Sequence, residues 1–218
     1  KLPYHIERDL APISQVASGP LILVIHPSVP ARTIKELVAL ARSQPGKLNY
    51  GSTGIGGAPH LAGELFNHMA KVKIVHVAYK GGGDAIIATT SGQIEMSFTS
   101  VAASFPLVGV GKLKPLAVSI MKRATLMPSI PTLDEAGLPG YNYPLWYGVV
   151  APAGVPKEII AQLNAAIGKI VNTPEMKEAL NRQGFEPEPS TPEQFAALIR
   201  NELAQNAKLI ALAGMKSE

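Results

Sequence analysis

The chain of 218 residues contains no cysteine, which excludes disulfides, thiolate zinc sites and cysteine nucleophiles. The same absence leaves the compartment open, since cysteine-free proteins occur on either side of a bacterial inner membrane. Aromatic residues are sparse, at 6% with one tryptophan, and none interleaves with basic residues as a base-stacking platform would require. Nucleic acid is therefore not an expected partner. Long hydrophobic runs are also missing: Leu21 to Ile25 and Tyr147 to Pro152 fall far short of the roughly 20 residues of a membrane helix, so no direct membrane insertion is expected. Charge of one sign is nowhere concentrated. The net charge of +4 comes from scattered lysines and arginines, a mild bias toward anionic ligands. The chain opens on Lys1-Leu2-Pro3-Tyr4 and charged residues rather than an apolar signal-peptide core, and the expectation is a mature, trimmed or partial product.

What the chain does have is apolar content and turn residues: 46% hydrophobic, with 20 glycines and 19 prolines. That is enough to bury a proper core in one large or two small domains. The densest turn chemistry is Gly51-Ser52-Thr53-Gly54-Ile55-Gly56-Gly57-Ala58-Pro59-His60-Leu61-Ala62-Gly63-Glu64. A strand ends at Tyr50, and Leu61, Leu65, Phe66 and Met69 then recur at helical spacing. Pro59 suits the first helical turn, where its missing amide costs nothing. Four glycines within seven residues let successive amides converge on one spot, with the positive end of a helix behind them. Such a nest favours a carboxylate or phosphate. It is neither G-x-x-x-x-G-K-[ST] nor G-x-G-x-x-G, which disfavours nucleotide chemistry; a tight strand-to-helix connection without a ligand is the plainer reading.

Strands and helices alternate from Leu21 to Ser119. Strands are expected at Leu21 to Ile25, Leu48 to Gly51, Ile74 to Val77, Ile94 to Phe98 and Leu116 to Ser119. Between them, Thr33-Ile34-Lys35-Glu36 reads as a capping box, Asp84 as the N-cap of a short helix, and Val101 to Val110 as helical. This predicts an α/β fold with a doubly wound, mostly parallel sheet. From Met127 to Pro144 prolines and glycines surround a short helix, Trp146 to Val150 restores a strand, and helices follow from Pro156, Pro174 and Pro192. Their apolar stripes, Ile159, Ile160, Leu163, Ile167 and Ile170 among them, exceed what the few flanking strands can cover, so part of the fold is expected to be missing.

These residues carry a resemblance. Lys1-Leu2-Pro3-Tyr4 with Arg8-Asp9, His26-Pro27-Ser28-Val29-Pro30, Ser52-x-Gly54-x-Gly56, His60-Leu61-Ala62-Gly63-Glu64 and His76-Val77-x-Tyr79-Lys80-Gly81-Gly82 occur in order. Gly111-Lys112-Leu113, Pro131-Thr132, Glu135-Ala136-Gly137 and Ala151-Pro152-Ala153-Gly154 follow. The chain resembles the Bug-type (TctC-like) substrate-binding proteins of the tripartite tricarboxylate transporter family over essentially its whole length. The resemblance implies a two-lobed architecture similar to type II periplasmic binding proteins, with residues 1–20 a remnant of lobe 1 and hinge strand, 21–144 a complete lobe 2, and 145–218 the return to an incomplete lobe 1. It implies a periplasmic, non-enzymatic protein without cofactor or metal, which captures a small carboxylate and delivers it to the membrane components of the transporter. If lobe 1 is incomplete, exposed apolar faces predict self-association.

Carried onto this sequence, the resemblance implies a carboxylate cradle at Ser52, Thr53, Gly54, Gly56 and Gly57, with His60 at the helix start, and Thr99 and Ser100 beside it. Thr99 stands where the family commonly has aspartate, which favours plain carboxylic acids over ligands bearing an amino group. Tyr79 and Lys80 follow a strand end, where ligands of open α/β sheets gather, or else form a solvated turn. Trp146 either lines the cleft between lobes or plugs the hinge. His60 and Glu64, four apart, share a helix face that a metal can use, but a structural contact or ligand hydrogen bond from His60 is the stronger reading. His76, between valines, reads as merely packed. The rival readings are a solute sensor on the same fold, and an α/β enzyme acting on a carboxylate, for which G-x-S-x-G is absent.

Overall fold

The computed structural model describes residues 3–215; Lys1 and Leu2 of the opening motif lie outside the described residues. The chain divides into two compact units, Pro20–Leu145 and the residues flanking it on both sides.

In the Pro20–Leu145 unit the sheet is built from the last residues of β1 (Leu10–Ile25) with β2 (Asn49–Ser52), β3 (Val75–Ala78), β4 (Met96–Ser100) and β5 (Lys114–Val118), in the order β3-β2-β4-β1-β5. β2 is parallel to β3 and β4, whereas β1 is antiparallel to both β4 and β5. Four strands thus point one way and β1 alone runs against them. The reason is connectivity. β3, β4 and β5 are each reached from the strand before through a helix, α3 (Ala58–Ala70), α4 (Gly82–Thr90) or α5 (Val101–Gly109), which returns the chain to start the next strand in the same direction, whereas β2 follows β1 through α2 (Ile34–Ser43) and runs against it. β1 enters directly from Leu10 without such a return.

The run Leu21-Ile22-Leu23-Val24-Ile25 is wholly buried because this central segment has sheet neighbours on both sides and packing on both faces. Ile22 and Val24 pack with Ile86 of α4, Val101 of α5, Val118 of β5 and Met127. Phe66 of α3 meets Phe98 of β4 edge-on with ring centroids 6.3 Å apart.

Several expected starts and stops shift. Thr33 accepts the Glu36 amide at 3.2 Å, but Glu36 reaches back to the Arg32 amide at 2.6 Å instead of that of Thr33, so only half the box forms. Helix α4 is capped by Gly81, not Asp84, which falls within the first turn, where its negative charge suits the helix dipole. The 127–143 segment forms turns rather than a helix, anchored by buried Tyr141, whose hydroxyl donates to the Ala62 carbonyl at 2.7 Å.

The other unit contains α1 (Ile6–Asp9), the first part of β1, most of β6 (Pro144–Pro152), α6 (Lys157–Val171), α7 (Pro174–Arg182), β7 (Glu186–Pro187) and α8 (Pro192–Leu212). β7 pairs antiparallel with Ala17 and Ser18. Asn164 of α6 donates to the carbonyls of Ile13 and Ser190, both at 2.8 Å, tying that helix to β1 and to the start of α8. On the stripe expected to seek a partner, Ile159, Leu163 and Ile170 are exposed.

Candidate functional site

At the carboxyl edge of β3, β2 and β4, three adjacent parallel strands each pass into a helix: β2 to α3 through residues 53–57, β3 to α4 through 79–81, and β4 directly into α5. Helix N-termini carry unpaired amides and a partial positive charge, so this edge gathers three anion-favouring ends. Gly54 and Gly56 have φ of +118° and +76°, a backbone region that side chains resist. They allow residues 53–57 to fold tightly between β2 and α3. The methyl group of Thr53 lies beside Gly82 at the start of α4, and the Tyr79 carbonyl lies near Gly54.

The loop is tied down from within. Ser52 is fully buried, and its hydroxyl donates to the Gly54 carbonyl at 3.0 Å while accepting the Gly54 amide at 3.1 Å. The same oxygen lies 2.6 Å from His76 Nε2. His60, in the first turn of α3, accepts the Gly56 amide on Nδ1 at 3.0 Å. Its neutral ring therefore carries its proton on Nε2. His60 and His76 stack face to face, centroids 3.6 Å apart and planes within 8°. Tyr50 leans on both rings, at 6.3 and 5.2 Å, and donates its hydroxyl to Glu64 at 2.6 Å. Burial holds the His60 pKa below its ordinary value, with Glu64 opposing in part. Burial and then the neighbouring His60 bring His76 down to about 4. Both rings are neutral at pH 7. Burial, followed by the Glu64 contacts, holds the Tyr50 phenol well above its ordinary value.

This geometry redistributes the expected donors. The amides of Gly54 and Gly56 turn inward to Ser52 and His60, and that of Gly57 goes to the Gly54 carbonyl. Among the described residues, the amides of Ile55, Ala58 and His60 make no hydrogen bond, and Thr53 is exposed. These are donors that the loop leaves without a partner. Tyr79 is half-buried at the end of β3, its amide on the Ser52 carbonyl at 3.0 Å, and Lys80 beside it is exposed. Thr99 is buried at the end of β4, opposite Ile22. Ser100 caps α5 by accepting the Ala103 amide at 3.3 Å. The structure thus brings Ser52, Thr53, Gly54, Gly56, Gly57, His60, Tyr79, Thr99 and Ser100 to one sheet edge. Trp146 belongs to the other unit, where it packs edge-on against Phe195 at 5.4 Å and lies beside Glu202.

His76 is packed, as its flanking valines suggest, and what it packs against is the site loop. The signal is the register: β2 and β3 place Tyr50 opposite His76, which puts an imidazole beside the ring and next to Ser52. Pairing between distant strands is not visible in either segment alone.

The model of the tripartite tricarboxylate transporter family receptor matches residues 1–215. The chain belongs to that family. Protein BugT of Bordetella pertussis is 30% identical over 99% of this receptor chain and 66% of its own length. The chain spans 63% of another curated relative, from Pseudomonas sp. strain P51. Among solved structures, an R. palustris protein with adipate matches with a TM-score of 0.90 at 32% identity, covering 98% of this chain and 72% of its own. MatC from Rhodopseudomonas palustris with bound malate matches with a TM-score of 0.85 at 27% identity, covering 96% and 72%. The chain therefore has the two-lobed α/β fold of periplasmic binding proteins of this type. No helix among the described residues is long and apolar enough to cross a membrane.

Proposed function

We propose that this receptor chain is part of an extracytoplasmic solute-binding protein, working in the periplasm, that captures a small carboxylate. Bound solute would pass to the membrane components of a tripartite tricarboxylate transporter. The observation that carries this reading is the convergence of three helix starts at one sheet edge, with the Ile55, Ala58 and His60 amides left over beside exposed Thr53. Amides fixed in advance bind an anion without further ordering cost. That relatives of the same fold hold adipate and malate points to plain dicarboxylates. We assign Pro20–Leu145 as the carboxylate-binding lobe and the flanking unit as the portion of the other lobe that this chain carries. The Ser52–His76 pair has the spacing of a nucleophile and its base. Ser52, however, is fully buried, and its oxygen is engaged by the Gly54 backbone and by His76, which favours binding over hydrolysis.

Calorimetric titration of the purified chain at pH 7 with adipate, malate and glutamate tests the reading. Saturable heat with adipate or malate, and weaker binding of glutamate because Thr99 offers no charge to an ammonium group, is the expected result. No heat with either dicarboxylate, or turnover of one of them, refutes the reading. Stronger binding of glutamate refutes the role given to Thr99.

A further inference from the structure

We propose that His60 and His76 are positioning residues for the loop at 52–57: their stacked rings decide which of its amides turn inward and which are left for a carboxylate. The proposal rests on the carboxylate-binding reading for its functional consequence, and on geometry alone for the loop. Gly56 is held by a single side-chain acceptor, His60 Nδ1. That ring cannot tilt without leaving the face of His76, 3.6 Å away, and His76 is fixed in turn by Ser52 at 2.6 Å. Ser52 also holds the Gly54 amide, so one column of two rings and one hydroxyl controls both inward-facing amides.

The control depends on charge. A proton added to His60 goes to Nδ1, the atom that accepts from Gly56, so the bond to the loop is lost with it. The titratable groups facing the pair are Tyr50 from β2 and Glu64 from α3. Tyr50 stays neutral and shields both rings, and Glu64 is engaged by the Tyr50 hydroxyl. Burial in this column extends the neutrality of the rings into the acid range.

The test is amide hydrogen exchange with 15N-resolved detection on the ligand-free chain, with malate titrations of the same samples. At pH 7 the Gly56 amide should exchange at least about tenfold more slowly than that of Ile55. His60→Ala should erase that difference while leaving strand amides such as Tyr50 and Val77 protected. His60→Asn, whose side-chain oxygen can stand in for Nδ1, should restore part of it. On acidification the Gly56 resonance should move in step with the His60 ring, below the ordinary histidine range, and malate affinity should fall about tenfold in His60→Ala. A Gly56 amide that exchanges as fast as Ile55 in the wild type, or that ignores both substitutions, overturns the proposal. If His60→Ala does not fold, His60→Asn and the wild-type titration decide alone. His60-dependent protection in a chain that binds no malate sustains the positioning role and refutes only the carboxylate reading.

Discussion

Tyr50 can bridge β2 to the histidine stack only because residue 63 has no side chain. A Cβ at Gly63 would lie 2.2 Å from the Tyr50 ring, well inside any tolerable contact. Gly63→Ala must therefore displace Tyr50, breaking its bond to Glu64 and loosening the rings it leans on. Overpacking of this kind costs about 1–3 kcal/mol, against the roughly 0.4–1 kcal/mol that replacing glycine by alanine gains where the site is open. Urea unfolding should show a lower midpoint with an unchanged slope, and an unchanged midpoint would mean that α3 moves to make room. At this scale the sequence was partly legible. His60 and the loop residues stood out because four glycines, a proline and a histidine gather at one strand-to-helix junction. His76, Tyr50 and the Gly63 contact did not, since each depends on a residue 10 or more positions away, brought near by the register of β2 with β3 and the seating of α3.

Helix starts marked by proline, expected from Pro156, Pro174 and Pro192, fall within a residue of where α6, α7 and α8 begin, whereas the Asp84 cap expected for α4 gives way to Gly81. Thr191 and Gln194 close the full reciprocal box at the start of α8, the Thr191 oxygen accepting the Gln194 amide at 3.2 Å and the Gln194 side chain accepting that of Thr191 at 2.9 Å. Thr191→Ala should cost about 1 kcal/mol, and Thr191→Ser almost nothing; thermal melts of the two variants separate the cap from any loss of volume. At Thr33 the same motif forms by halves because Glu36 finds the Arg32 amide, so Thr33→Ala should cost about 0.5 kcal/mol, the lower end of what such caps contribute. The direction of β1 was not legible. An apolar run of five residues has the same composition whichever way its neighbours point, and only the 16-residue length of the strand, entering without a crossover, reverses it.

For the whole molecule, acid stability follows from which groups fold with shifted affinity for protons. His60 and His76 are depressed on folding, so the unfolded chain binds more protons. Their contribution is complete above the unfolded value of 6.5 and is lost as pH falls through the folded one, which for His76 is about 4. Asp9 is held low by Arg8 and the His5 amide, and Glu135 by the Thr132 amide and Arg123, but both lie at the surface and act only below the ordinary carboxylate range. Glu202 works in the opposite sense: burial raises it, so protonation on acidification favours the folded form of its own unit. These two signs belong to different units, which need not melt together. A comparison of wild type with His76→Phe, which keeps a ring against His60 but cannot titrate at that position, isolates the His76 part. Followed by circular dichroism, the wild-type melting temperature should decline between pH 6.5 and 4.5 more steeply than that of the variant, and Trp146 fluorescence, which reports the other unit, should show no such difference. Equal slopes by circular dichroism would mean that the stacked pair opens to solvent before the unit unfolds, and that its neutrality does not stabilise the fold.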